Sequence, residues 1–261
     1  MKRIIFTLCL FTALISSANA GEIYNCTDRD GNAFFTDNPQ DGMKCVSKGD
    51  DAESTYANET PKNINLMPKY GLVQKNKAQL AADKELFTAI DKQYKGDRKK
   101  AAEDAAMRGW QFLRKGDMET AMKRFNQAWL LDSKNGKALW GMAAIQGNTG
   151  KMDESLQLFS EAEQFEGNDI DFAVDQARAI GLAAMATKNE VLITEAFHRY
   201  EQLYKRVPRN ILNLQNWAIA LYYTGNYTKA WEKIKMAETA PRGNELDKRF
   251  IAELQSKMPR P

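Results

Sequence analysis

Few side chains in this chain of 261 residues could do acid–base or nucleophilic chemistry. The only histidine, His198, lies between Phe197 and Arg199 in a segment of helical periodicity, where a packing or surface position is the more common role. The sequence contains no G-x-S-x-G, no H-E-x-x-H and no glycine-rich phosphate loop. These observations predict a protein that is not an enzyme, with no catalytic residues and no cofactor.

Three aspartates near the N-terminus have a spacing that could suit a cation. Asp28, Asp30 and Asp37 include a D-x-D-G pattern, which resembles the start of a calcium loop. The remaining loop ligands and the closing glutamate are missing, and aspartate is common in tight turns for conformational reasons. We therefore predict turn formation and no metal site, with calcium binding as the alternative.

The first 20 residues have the three parts of a secretory signal peptide. Lys2 and Arg3 supply the positive charge, residues 4–15 are an apolar run, and an A-x-A sequence ends at Ala20. The alternative is a membrane anchor, but the run is short for a bilayer. We predict cleavage after Ala20, which makes the protein periplasmic or secreted and leaves no transmembrane segment.

Two cysteines remain after this cleavage, because Cys9 lies inside the signal peptide. An isolated pair such as Cys26 and Cys45 most simply forms one disulfide bond in an oxidising compartment. The pair is not C-x-x-C, which disfavours a dithiol oxidoreductase, and metal binding would need more ligands. Closing this loop contributes about 3 kcal/mol in the chain-entropy treatment.

Residues 21–48 form a candidate module of their own. Residues 23–27 and 33–37 alternate like short strands, and residues 28–32 supply turn-forming side chains. The pattern of Tyr24, Cys26, Gly31, Phe35 and Pro39 resembles a short N-terminal hairpin module of bacterial envelope proteins. The resemblance implies a location in the envelope more than a mechanism.

Two segments lead from this module to the rest of the chain. From residue 49 to about residue 67 the chain is rich in polar residues and shows no apolar period, which predicts a linker over residues 49–72. Apolar side chains at helical spacing from residue 73 to about residue 94 predict a leading helix in the segment 73–101. A break at residues 95–97 then leads into the basic residues 98–100, which we interpret as a solvated helix start, with a patch for an anionic partner as the alternative.

One stretch of the chain repeats itself after 34 residues. The residues that recur in order are Gly116, Met118, Ala121, Phe125 and Ala128, and then Gly150, Met152, Ser155, Phe159 and Ala162. This period indicates a helix–turn–helix unit that stacks into a solenoid. The segment resembles the tetratricopeptide repeat family, which also has a small residue where Gly109 stands and an aromatic residue where Phe112 stands.

The resemblance implies a mostly α fold. We expect a right-handed, tetratricopeptide-like helical-hairpin solenoid of about four repeats over residues 102–244, with flanking helices and a capping helix in residues 245–261, preceded by a small disulfide-linked β-hairpin. Because Gly150 and Gly225 are 75 residues apart, the third repeat carries about seven extra residues. We place them near residues 168–177, as two more turns on its first helix, and this repeat lacks the glycine between its helices.

The resemblance also implies that the first helix of each repeat lines a concave groove. Aromatic, amide and basic side chains at inward positions suit a peptide or an amphipathic helix. For Trp110 and Trp140, packing between helices is an equal alternative, and Trp217 is assigned to the core. The predicted groove residues are Met107, Trp110, Leu113, Arg114, Lys137, Trp140, Asn148, Gln215, Asn216, Ile219, Tyr222 and Tyr223.

These features favour an adaptor that binds a protein or peptide partner of the envelope in the groove of its repeats. The alternative is a cell-wall or glycan-binding accessory protein, targeted by its hairpin module. Nucleic acid is disfavoured, because the 37 basic and 34 acidic residues nearly cancel and form no basic stripe.

Overall fold

The computed structural model describes three short strands, at residues 24–27, 33–36 and 44–47, and the continuous chain from residue 63 to residue 261. The chain divides into two compact units, Met1–Leu131 and Asp132–Pro261, and each is described by itself. The predicted signal peptide and the start of the predicted linker lie outside the described residues.

The N-terminal strands form one antiparallel sheet. Strand β1 (Tyr24–Thr27) pairs with β2 (Ala33–Thr36) on one side and with β3 (Lys44–Ser47) on the other. The alternation of residues 23–27 and 33–37 predicts the first two strands, whereas no strand is predicted at residues 44–47. In the register of β1 with β3, Cys26 is paired with Cys45. A bond between their sulfur atoms lies outside what is described and stays a prediction.

Residues 63–72, which we call the strap, are ordered against the first unit. The strap consists of two 3₁₀ segments, Ile64–Leu66 and Pro68–Leu72, and both lie against helix α3 (Met118–Leu131). Ile64 and Tyr70 are buried there. The linker predicted for residues 49–72 therefore does not extend through the strap, because two apolar side chains suffice to anchor it.

Helix α1 (Lys77–Tyr94) is the predicted leading helix, and it starts four residues later than expected. Asn76 and Gln79 form a reciprocal capping box that fixes this start. The helix ends at Lys95, which has left-handed backbone geometry. Helix α2 (Arg98–Arg114) then begins at the basic residues, and residues 98–100 are exposed in its first turn, as the solvated-start interpretation predicts.

Antiparallel helix pairs make up most of the described chain. The pair α2/α3 belongs to the first unit. The second unit holds α4/α5 (Gly136–Asn148, Met152–Glu166), α6/α7 (Ile170–Thr187, Glu190–Arg206), α8/α9 (Ile211–Tyr223, Tyr227–Glu238) and α10 (Lys248–Lys257). Three of the pairs turn at glycines with positive φ, namely Gly116, Gly150 and Gly225.

The third pair, α6/α7, turns without a glycine. Lys188 has the left-handed conformation there, with φ of 53°, and Asn189 caps α7 as Asp117 caps α3 in the first pair. Lys188 follows Gly150 by 38 residues and precedes Gly225 by 37, so the seven extra residues are divided. Four lengthen the start of α6 and three lengthen α7. The expectation that all of them lie near residues 168–177 is therefore only half right.

Close contact between the helices of a pair requires a small residue on the first helix. A Cβ atom on Gly109 would lie 2.5 Å from the ring of Phe125 on α3. A Cβ atom on Gly181 of α6 would likewise collide with the hydroxyl of Tyr200 on α7. The same relation in both pairs shows that the third pair keeps the register of the first despite its extra residues.

Helix α10 closes the second unit. Phe250 and Leu254 are buried in one cluster with Ala218 of α8 and Trp231 of α9. The indole nitrogen of Trp231 donates a hydrogen bond to the carbonyl oxygen of Met258, 3.1 Å away. The predicted terminal helix is thus present, and it begins three residues later than residue 245. None of the helices described here has the length and apolar character that crossing a membrane requires.

Candidate partner-binding surface

The first helices of the three pairs in the second unit start in the same way. Asn135, Asp169 and Asn210 are N-caps whose side-chain oxygens accept the backbone N–H three residues later, at 2.9, 3.0 and 3.0 Å. These caps fix where each helix begins, and so which side chains point in the same direction.

One face of α4 and of α6 is only partly covered by the rest of the described chain. Its residues follow the spacing of three, four and three that keeps side chains on one side of a helix. They are half-buried, apart from the exposed Lys137. We call this surface the first-helix face, and it consists of Lys137, Trp140, Ala144 and Gly147 on α4 and Asp175, Arg178, Leu182 and Met185 on α6.

Trp140 is the large aromatic side chain of this face. Its ring meets the buried ring of Phe172 edge to face, with centroids 5.6 Å apart. Its indole nitrogen donates a hydrogen bond to a carboxylate oxygen of Asp175, 3.1 Å away. The ring is therefore held in one orientation while part of it stays accessible, which is the property of a binding anchor.

Small residues follow Trp140 on α4, and apolar ones follow Arg178 on α6. Ala144 presents little side chain above the backbone, so another chain can approach α4 closely. A Cβ atom on Gly147 would instead lie 3.0 Å from the hydroxyl oxygen of Ser155 on α5. Leu182 and Met185 are half-buried and add accessible apolar surface on α6. The face thus combines one fixed aromatic ring with a low and largely apolar floor, which suits a protein segment more than a small molecule.

Polar residues border this apolar floor. Lys137 is exposed near the start of α4, and Asp175 on α6 brings the opposite charge. Burial raises the pKa of Glu166, and nearby Lys137 opposes this rise. Asn148, also predicted for the groove, is the last residue of α4 and is exposed. The predicted groove residues of α4 are therefore all accessible, at least in part.

The predicted groove residues of α2 lie in the first unit, and they differ in exposure. Met107 and Arg114 are exposed, and Trp110 is half-buried with its ring edge-on to Phe125 at 5.6 Å. Leu113 is buried, which corrects its assignment to the groove. It continues the buried stripe of α2 that includes Gly109.

Helix α10 covers the corresponding face of α8. The side-chain oxygen of Gln215 accepts the backbone N–H of Asp247 at 2.7 Å, and the hydroxyl of Tyr222 donates to Glu253 at 2.8 Å. Ile219 packs against the buried cluster that contains Phe250 and Leu254.

Three of the predicted groove residues on α8 therefore hold the capping helix. Tyr222 and Asn216 are buried, so their assignment to an open groove is wrong. Only Tyr223, which is 42% exposed, presents a large accessible ring among the predicted residues of this helix.

The Tyr222 phenol responds to this environment. Burial raises its pKa to about 12, and the hydrogen bond to Glu253 acts in the same direction.

Trp217, assigned to the core, is half-buried. Its ring lies 6.3 Å from that of Tyr204, and the ammonium group of Lys233 is 3.7 Å from its centroid. A cation–π contact thus covers the part of the ring that the core does not.

His198 is exposed and lines a cavity of about 370 Å³ among α5, α6 and α7. Beside it, the guanidinium of Arg199 donates to Glu163, to Glu195 and to the amide oxygen of Gln176. Burial would raise the pKa of Glu163, but the hydrogen bonds from Arg199 and Gln176 outweigh it and hold the pKa below its usual value. The charged groups of this cluster pair with one another, so we assign the cluster a structural role in joining the helices.

In the part of the chain that the structure describes, no three metal-ligating side chains lie together.

The sequence did not predict the α6 residues of the first-helix face. The missing glycine at Lys188 concealed the register of the third pair. Gly181 carried the signal that could have found it, since it corresponds to Gly109 in the first pair.

Comparisons with known proteins cover the N-terminal region and the helical part of the chain. The model of a family described as a domain of unknown function (DUF4124) matches residues 8–63. Among curated proteins, no sequence matches the chain. Three solved structures illustrate the similarity of the helical part.

A thermophilic TPR protein from Thermus thermophilus is 18% identical, with a TM-score of 0.53 over 61% of this chain and 84% of that one. The pilF protein of Pseudomonas aeruginosa is 16% identical, with a TM-score of 0.49 over 69% of this chain and 78% of that one. MamA from Desulfovibrio magneticus RS-1 is 16% identical, with a TM-score of 0.44 over 55% of this chain and 75% of that one. The helical part of this chain therefore has the fold of a tetratricopeptide repeat protein, behind an N-terminal region that matches the DUF4124 family model.

Proposed function

We propose that this protein is an exported, non-catalytic scaffold that binds a segment of a protein partner on its first-helix face. The observation that carries the proposal is the state of Trp140, whose ring is held by Phe172 and Asp175 and is still partly accessible. Rigid aromatic rings of this kind give contact area at a low entropic cost. The tetratricopeptide fold supports the same class of work, because stacked helix pairs present extended surfaces.

Four tetratricopeptide repeats are part of this proposal, one for each helix pair. The Gly109–Phe125 and Gly181–Tyr200 contacts support a common register for the first and third pairs. We also propose the Cys26–Cys45 disulfide, which the pairing of these two residues in the strand register supports. Mass measurement of the protein with and without reduction tests it, and a pair of free thiols in freshly isolated protein would contradict it.

Export rests on the first 20 residues and locates the protein in the periplasm or outside the cell. The intact mass of protein from the envelope fraction provides the test. We expect a chain that begins at Gly21, and a chain that retains Met1 or carries lipid on Cys9 would contradict the proposal.

The binding site is tested by photo-crosslinking in the living host. A crosslinking amino acid at Lys137, on the first-helix face, should capture a specific protein that one at Ser160, exposed on α5, does not. With the captured protein purified, Trp140→Ala should weaken binding about 30-fold or more, as removal of an interface anchor typically costs at least about 2 kcal/mol. Full binding by a folded Trp140→Ala protein would contradict the site. If purified cell wall sediments the protein and no protein is captured, the glycan-binding alternative replaces it.

A further inference from the structure

Asn126 on α3 is a fully buried amide at a place where other helix pairs expose a side chain. It lies ten residues after the turn glycine Gly116. Ser160 and Lys235 lie ten residues after their own turn glycines, and both are exposed. The difference arises because the strap (residues 63–72) covers α3 in the first unit.

The contacts of Asn126 go to the backbone of the strap. Its amide nitrogen donates to the carbonyl oxygens of Asn65 and Met67, both at 2.8 Å. Its amide oxygen accepts the backbone N–H of Tyr70 at 3.3 Å. Because none of these contacts involves a strap side chain, the amide recognises a peptide by its backbone shape and does not depend on its exact sequence.

Side chains add an anchor to this clamp. Tyr70 is buried, with the ammonium group of Lys75 3.7 Å from its ring centroid. Lys75 in turn forms an ion pair of 2.7 Å with Asp83 on α1. The site thus combines a buried amide, a place for an aromatic ring and a cation above that ring.

The strap adopts an unfavourable backbone in order to fit. Lys69, Tyr70 and Leu72 have φ of 53°, 56° and 54°, and Gly71 between them has φ of 67°. Left-handed geometry is disfavoured for side chains other than glycine, and a run of it is rare. A segment that makes the same contacts with less strain would compete with the strap.

We infer that the surface of α3 around Asn126 is a second peptide-binding site, which the strap closes and which a partner segment with a strap-like turn and an aromatic anchor opens by displacement. This site is separate from the first-helix face, so neither proposal depends on the other. The covalently attached strap has a high effective concentration and keeps the site closed in the absence of a partner.

The test uses the full-length protein and a fluorescent peptide that copies residues 63–74. Binding is followed by fluorescence anisotropy. Tyr70→Ala in the protein weakens the strap, so this variant should bind the peptide at least about tenfold more tightly than the unaltered protein does. A peptide in which Ala replaces the tyrosine should lose most of this affinity.

Matched second substitutions separate the clamp from general effects on the fold. Adding Asn126→Ala to Tyr70→Ala should remove the gain in affinity, whereas adding Ser160→Ala should leave it unchanged. If the Tyr70→Ala protein keeps its helical circular dichroism and gains no affinity, the proposal is overturned. If it does not fold, Ile64→Ala replaces it, with the same expectations.

Hydrogen exchange of the unaltered protein gives an independent test. The amide of Tyr70 should exchange through a local opening, much faster than the buried amides of α3. Exchange of both only through common unfolding of the first unit would show that the strap does not open, and would also overturn the proposal.

Discussion

The pairs α4/α5 and α8/α9 carry equivalent faces on their first helices, but only one of these faces is open. Trp140 and Ala144 of α4 are partly accessible. At the equivalent places on α8, Gln215 is engaged by α10 and Ile219 packs against the buried cluster that contains Phe250 of α10. The place of a residue within a helix pair thus sets its direction, and a later element of the chain decides whether it stays accessible or is covered.

The largest expected effect separates two tryptophans of these pairs. Trp231 of α9 is 3% exposed, so Trp231→Ala should cost about 3–5 kcal/mol of stability and lower the melting temperature of the second unit. Trp140→Ala should cost clearly less, because its ring is only half-buried. Thermal unfolding of both variants is the measurement. Equal losses would show that Trp140 is structural and would remove the contrast between the faces.

The next effect concerns α10, the helix that covers α8. Leu254 of α10 is 0% exposed, so Leu254→Ala should cost about 2–5 kcal/mol and loosen α10 from α8. Hydrogen exchange should show faster exchange in α10 than in α4. Gln255→Ala, at an exposed neighbouring position, is the control and should have almost no effect. Unchanged protection of α10 in the Leu254→Ala protein would mean that other contacts hold the helix.

A single hydrogen bond gives a smaller effect. Tyr222→Phe removes the hydroxyl that donates to Glu253, and we expect a loss of about 1 kcal/mol in urea unfolding. Tyr223→Phe is the matched control, because Tyr223 is adjacent and exposed. The contact between α8 and α10 would carry no net stability if both variants unfolded at the same urea concentration.

Alkaline pH should act through the same phenol. Because the pKa of Tyr222 is raised from 10.0 to about 12 in the folded protein, folding favours its neutral form. This contribution to stability is fully present below about pH 10 and is lost as the pH rises through about 12. Stability measured over this range should fall more steeply for the unaltered protein than for Tyr222→Phe, and parallel curves would refute the assignment.

The third pair shows why part of the repeat pattern could not be read from the sequence. A glycine with positive φ is easily recognised, but Lys188 adopts the same backbone without any sequence signal. Gly181 was visible, yet its meaning depends on Tyr200, which lies on the other helix of the pair. The α6 residues of the first-helix face were therefore missed, while Lys137 and Trp140 of α4 were predicted.

The strap was misread for a related reason. The polar residues that precede it predict a linker, and the apolar residues of the strap itself, such as Ile64 and Tyr70, follow no helical or strand period. Its position depends on Asn126, which is 61 residues from Asn65 in the sequence. No local pattern marks an asparagine as the holder of a distant backbone.

The sequence by itself determined the helices, most of their turns and the small residues at helix contacts. These features depend on neighbours within one helix pair, namely caps such as Asn135, turn glycines and apolar spacing. Only the tertiary structure decided which surfaces are covered: α10 lies over Tyr222, and the strap lies over Asn126. Exposure depends on residues far apart in the chain, so the same kind of position is partly exposed on α4 and covered on α8.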